Sequence, residues 1–130
     1  MKKKLIKRGD LQKLGFPEYT ASGVIKTAKL RLVEDGYTIY DNKKQIGVPY
    51  KSVEKILGTE LIPENFITAQ DLQELDYSKS SSQRIIRIAK LRLVQEGFEL
   101  YSNRRLGCVP KEMVERLTGI SYEKEGTSHA

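Results

Sequence analysis

The sequence predicts a mainly α-helical protein with small β-hairpins, organised as two tandem units that each run helix, turn, helix, hairpin, helix. Three observations carry this. The chain repeats itself at an offset of 61: residues 10–58 and 71–119 align without a gap and share 19 identities in 49 positions. These include Ala28-Lys-Leu-Arg-Leu-Val33 against Ala89-Lys-Leu-Arg-Leu-Val94 and Val48-Pro49 against Val109-Pro110, the mark of a tandem duplication. Each copy holds a long stretch of apolar residues at helical spacing, closed by Gly36 or Gly97. Beyond that glycine the apolar period drops to two.

Element by element, a unit opens with a short amphipathic segment, Gly9 to Leu14 or Thr68 to Leu75, where Thr68 followed by Asp71 has the form of a helix N-cap. A brief turn follows, containing Pro17 in the first unit and Ser78, a second N-cap, in the other. The long helix then runs to about Asp35 or Glu96. Ala21, Val24, Ile25, Ala28 and Leu32 share one face of it, as do Ile85, Ile86, Ala89 and Leu93, so that stripe is buried. Tyr37 to Tyr40 and Phe98 to Tyr101 read as strands. The turn-prone Asp41 to Lys44 and Ser102 to Arg105 follow, then return strands over Gln45 to Val48 and Leu106 to Val109. Pro49 and Pro110 start a final helix, Tyr50 to Leu57 or Lys111 to Thr118, stopped by Gly58 or Gly119. The implied organisation is a basic arm (1–9), unit one (10–58), a connector (59–66), unit two (67–121) and a tail (122–130).

With 130 residues, 23 Lys and Arg against 17 Asp and Glu, and a net charge of +6, the chain suits an acidic partner. Most of that excess lies in residues 1–9, which carry +5. The lone Cys108 fits a reducing, cytoplasmic setting. No stretch approaches the ~20 apolar residues of a membrane span, and Leu5-Ile6 is too short for a signal-peptide core. Catalysis finds no support: His129 lies near the C-terminus, Cys108 has no neighbouring histidine, and Glu54 and Glu115 read as surface charge. No phosphate loop or metal-ligand spacing is present, so the expectation is a non-enzyme without cofactor or small-molecule substrate.

The element order resembles the winged helix-turn-helix of excisionases and of mercury-resistance-type regulators. The residues resemble more closely a small family of unknown function encoded beside the integrase on integrative conjugative elements of Gram-positive bacteria. Asp10-Leu11, Leu14-Gly-Phe16, Ala28-Lys29, Gly36, Tyr40, Asn42-Lys-Lys44, Val48-Pro49 and Leu57-Gly58 match its pattern, as do Asn103-Arg-Arg-Leu-Gly107 and Val109-Pro110. Two stretches depart from it, Gln45-Ile-Gly47 and Tyr77-Ser-Lys-Ser-Ser-Ser82. The resemblance implies a role in recombination or its control.

In a helix-turn-helix the second helix enters the major groove and other groups hold phosphates. The long helices expose Ser22 and Lys26 in one unit and Gln83, Arg84 and Arg87 in the other, and Arg and Gln are suited to guanine and adenine edges. Wing residues Lys43, Lys44, Arg104 and Arg105, with arm residues Lys2, Lys3, Lys4, Lys7 and Arg8, are suited to backbone or minor-groove contact. Leu30 and Leu91 lie off the buried stripe and are expected to pack on the wing or last helix, the alternative being a contact between units or copies. The expected function is binding of double-stranded DNA at two direct-repeat half-sites, as an excisionase-like accessory or directionality factor for an integrase. The alternatives are a transcriptional regulator of the element and a protein-interaction adaptor that does not bind DNA.

Overall fold

In the first unit, strand β1 (Leu5–Ile6) leads into helix α1 (Arg8–Lys13), the long helix α2 (Glu18–Glu34), a 3-10 turn at Thr38–Tyr40, strand β2 (Val48–Pro49) and helix α3 (Tyr50–Leu57). A 3-10 turn at Pro63–Asn65 passes to the second unit: β3 (Phe66–Thr68), α4 (Ala69–Glu74), α5 (Lys79–Gln95), a 3-10 turn at Glu99–Ser102, β4 (Cys108–Pro110) and α6 (Lys111–Thr118). The structure, a computed structural model, describes residues 5–42, 44 and 47–121. It is mainly helical with two small two-stranded antiparallel sheets, one per repeat.

Local chemistry sets the helix ends. The Thr68 hydroxyl accepts from the Asp71 N–H at 3.2 Å while the Asp71 carboxylate accepts from the Thr68 N–H at 2.8 Å, a reciprocal cap. The Ser78 hydroxyl accepts from the Ser81 N–H at 3.1 Å. At the far end of α2, Tyr37 N–H donates to Leu32 C=O and Gly36 N–H to Val33 C=O, both at 2.9 Å, with Gly36 at φ 103°. This is a Schellman closure, which needs a residue in the left-handed region. Helix α5 closes in the same way through Phe98 and Gly97. The turn between α1 and α2 uses the motif again, with Gly15 at φ 102°, whereas Asp76 takes that place at φ 75° in the second unit.

The sheets differ from the predicted hairpins in their pairing. Tyr37 to Tyr40 and Phe98 to Tyr101 do not form strands. The Tyr37 and Phe98 N–H groups close the preceding helices, and the Tyr40 and Tyr101 N–H groups donate to Tyr37 and Phe98 C=O, each at 3.2 Å, in the 3-10 turns that follow. The strand before the last helix pairs instead with the start of its own unit. Leu5 lies opposite Pro49 and Ile6 opposite Val48; Phe66, Ile67 and Thr68 lie opposite Pro110, Val109 and Cys108. Residues 5–9 are therefore folded rather than a free arm. Ile6 is fully buried and the Lys7 N–H donates to the Asp10 carboxylate at 2.8 Å. Phe66 likewise belongs to the second unit. Lys2, Lys3 and Lys4, wing residue Lys43 and His129 lie outside the described residues. Glu54 is more than surface charge: its carboxylate accepts from the Leu61 N–H at 2.9 Å and ties the connector to α3.

The two units share one continuous apolar core. The Phe16 and Phe66 rings meet edge to face at 5.7 Å. The buried Tyr101 hydroxyl donates to Leu57 C=O at 2.6 Å, and Asn103 Nδ2 donates to the Thr20 hydroxyl at 3.1 Å. Each bond crosses from the second unit to the first.

Candidate nucleic-acid interface

At 100° per residue, helix α2 presents three faces. Ala21, Ile25 and Ala28 point into their own unit and are buried. Thr20, Val24 and Thr27 line a cleft of about 440 Å³ whose opposite wall is Phe98, Leu100 and Asn103 of the second unit. The third face, Ser22, Lys26, Lys29 and Leu30, remains open and forms one side of a groove of about 730 Å³.

That open groove brings together side chains predicted from separate parts of the chain. Ser22 and Lys26 stand along α2; Lys7 and Arg8 enter from the start of α1; Tyr40, Asp41 and Asn42 close the third side. Four cations thus face one carboxylate, Asp41, across an apolar strip of Ile25 and Leu30. Arg8 also lies 3.8 Å from Glu18, a surface pair with both side chains more than half exposed, which leaves the guanidinium accessible to a stronger anion. Lys29 and Asn42 were not singled out from the sequence. The signal for Lys29 was its place three residues after Lys26, hence on the same face.

In the second unit, Gln83 and Arg87 occupy the positions of Ser22 and Lys26, and both are exposed. Lys90, at the place of Lys29, serves the fold instead. Its ammonium donates to Asn103 C=O and Leu106 C=O, each at 2.6 Å, and burial pushes its pKa below the ordinary lysine value, with the nearby Cys108 thiol acting the other way. Lys90 therefore buttresses the loop that carries Arg104 and Arg105. The Asn103 side chain shapes that loop by accepting from the Arg105 N–H at 2.9 Å, as Asn42 does for Lys44 at the same distance. Arg104 and Lys44 are exposed. The Arg105 guanidinium lies 5.7 Å from the centre of the Tyr19 ring, a cation–π contact between the units.

Arg84 and Arg87 are both exposed. Arg84 repeats the position of Gly23, which lines the cleft between the units, and stands about 60° around α5 from Arg87. Leu30 and Leu91 also differ from expectation. Expected to pack on the wing or last helix, they are 58% and 59% exposed among the described residues.

Among the described residues no group of His, Cys, Asp and Glu is disposed to hold a metal ion, and no helix is long and apolar enough to cross a membrane. Cys108 is buried in β4. No curated protein and no solved structure matches the chain. The family model described as "Domain of unknown function (DUF3173)" matches twice, over residues 4–61 and 65–122. Each match begins one residue before the first strand of its unit and ends three residues past the glycine closing the last helix. The chain therefore belongs to the DUF3173 family and carries two tandem copies of its domain.

Proposed function

We propose that this protein binds double-stranded DNA and serves as an excisionase-like accessory or directionality factor for the integrase of a mobile genetic element, working in the cytoplasm. The observation that carries the DNA reading is the open face of the long helix, repeated in both units. It offers Ser22 and Lys26 beside Lys7, Arg8 and Lys29 in one unit, and Gln83 and Arg87 in the other. Such a face combines groups for base edges with cations for phosphates. The exposed Leu30 and Leu91 suit the thymine methyl in a major groove. The contact between units joins unlike faces, which favours two half-sites in direct orientation over a palindrome. The resemblance to a family encoded beside integrases directs the role toward excision.

Selection of bound duplexes from a random pool, followed by anisotropy titration, tests this. Binding should weaken with salt at a log-log slope near −0.9 per phosphate neutralised. Arg87→Ala should cost roughly 5- to 100-fold on the selected duplex and relax one position of the site. Lys26→Ala should weaken binding in the same assay. Absence of any salt-sensitive complex with duplex DNA removes the DNA reading in favour of a protein-docking adaptor. Loss of excision on deletion supports the accessory role, whereas altered transcripts with normal excision assign the protein to transcriptional control.

A further inference from the structure

The contact between the two units is heterologous: one face of the first unit meets a different face of the second. Because the units are copies, each face recurs at the other end of the chain. There it has no partner among the described residues.

The first unit's counterpart of the second unit's inserting surface is exposed. Phe66 is 4% exposed, whereas Leu5 at the same repeat position is 43% exposed. Phe98 and Leu100, half-buried against α2 and α3, have as counterparts Tyr37 and Ile39, 60% and 64% exposed. The receiving surface shows the reverse. Thr20 and Phe16 are each 2% exposed; their counterparts on the second unit are Ser81, which is exposed, and Tyr77, which is half-buried. The bonding groups recur as well. Asn42 and Tyr40 stand where Asn103 and Tyr101 donate across the internal contact, and the Ser81 hydroxyl and Thr118 C=O stand where Thr20 and Leu57 accept. Charge is complementary across the open pair: Arg84 and Arg92 stand at the receiving end, where Arg116 is already paired with Glu96 of its own unit at 3.1 Å, and Asp35 and Asp41 stand at the inserting end. Arg31 and Lys55 rim the internal cleft opposite Glu96 and Glu99 in the same sense.

We infer that the protein associates head to tail with further copies of itself, the first unit of one copy seating Leu5, Tyr37 and Ile39 on the α5 and α6 surface of the next as the second unit seats on the first. A heterologous contact of this kind leaves one end of each kind free at every step, so copies add head to tail beyond a dimer, in an open row or a closed ring according to the rotation between units. Two differences make the contact between copies weaker than the internal one. The Arg105 to Tyr19 cation–π contact becomes Lys44 opposite Ser80, and Gly23 becomes Arg84. Association is therefore concentration-dependent, and a row of units extends the spacing that the internal pair already has.

Sedimentation equilibrium of the full chain without DNA, from micromolar to millimolar, tests the proposal independently of the DNA reading. The weight-average mass of wild type should rise past the dimer. Ile39→Asp blocks the inserting end and Ser81→Arg the receiving end. Both sites are exposed, so circular dichroism should be unchanged, and each variant alone should associate at least roughly tenfold more weakly. An equimolar mixture retains one intact inserting end and one intact receiving end, and should form a dimer and nothing larger. A wild type that remains monomeric to millimolar, a dimer that does not grow, or a mixture that associates no better than its components overturns the proposal.

Discussion

Replacing Tyr101 by Phe removes a single oxygen at the point where the two units are joined. Tyr101 is 1% exposed and its hydroxyl donates to the Leu57 carbonyl at the end of α3. The loss of that bond, with the buried carbonyl left to find another donor, costs about 1–3 kcal/mol. With a urea slope of roughly 1–3 kcal/mol per molar, the midpoint should fall by about 1 M. The repeat supplies the control: Tyr40 holds the same position in the first unit but is only half-buried, so Tyr40→Phe should change stability by less than about 0.5 kcal/mol. A second signature lies in alkali. Burial first, and then the Cys108 thiolate, hold the Tyr101 phenol well above its ordinary value of 10.0. Above pH 10 the unfolded chain releases this proton while the folded chain keeps it. The unfolded state then binds fewer protons, and stability falls by up to about 1.4 kcal/mol per pH unit. Lys90 acts in the opposite sense. Its folded pKa is lowered, so its contribution rises with pH up to the ordinary lysine value of 10.5 and is level beyond it. The fall attributable to Tyr101 should therefore be unopposed by Lys90 above about pH 10.5 and be absent from Tyr101→Phe. Urea melts of wild type and both variants at pH 7 and at intervals from pH 9.5 to 11.5 measure all of this. Equal losses in the two tyrosine variants, or the same alkaline slope in Tyr101→Phe as in wild type, would refute a coupling of the units through this hydroxyl.

Gly58 and Gly119 have φ of 82° and 77°, but a Cβ on Gly58 would lie 3.0 Å from the Phe98 ring while one on Gly119 meets nothing within 4 Å. Gly119→Ala should cost about 1 kcal/mol and Gly58→Ala about 2–4 kcal/mol by thermal or urea unfolding. Ser82 is fully buried and its hydroxyl has no hydrogen-bond partner among the described residues. The first unit has Ala21 at that position, so Ser82→Ala should stabilise by about 1 kcal/mol, read as a raised midpoint. Lys90→Met keeps the aliphatic stem but removes the ammonium from two carbonyls. It should cost about 2 kcal/mol and speed amide exchange across Asn103 to Leu106 while sparing α4.

Most of the secondary structure was legible because it is decided within a turn or two of chain. The Thr68 and Ser78 caps, the glycines closing α2, α3, α5 and α6, and the prolines before α3 and α6 each settle a helix end through contacts no more than five residues away. The strands were legible only in part. Of the return strands expected over Gln45 to Val48 and Leu106 to Val109, Gln45 and Ile46 lie outside the described residues and Val48, Cys108 and Val109 are in strands, but the partners of those strands lie some 40 residues earlier. Alternation in Tyr37 to Tyr40 looked like a strand because the pattern says nothing of N–H groups already committed to closing the helix before it. The candidate groove was half legible. Ser22 and Lys26 were found from the helix wheel, whereas Lys7 and Arg8 reached the groove only through the pairing of β1 with β2.

Taken alone, the sequence determined that the protein is a duplication, where its helices begin and end, and which stripe of each long helix is buried in its own unit. Those are consequences of periodicity and of short-range hydrogen bonding, and they are the same in both copies. Which remaining face of α2 is covered and which is open depends on where the second unit comes to rest, and periodicity carries no information about that. Only the tertiary structure divided α2 into a face covered by Phe98 and Leu100 and a face left to Ser22 and Lys26. It also made Lys90 a loop support and left Tyr37 and Ile39 exposed where their counterparts are packed. Two related repeats thus present different surfaces, in part because one has a neighbour where the other is exposed among the described residues.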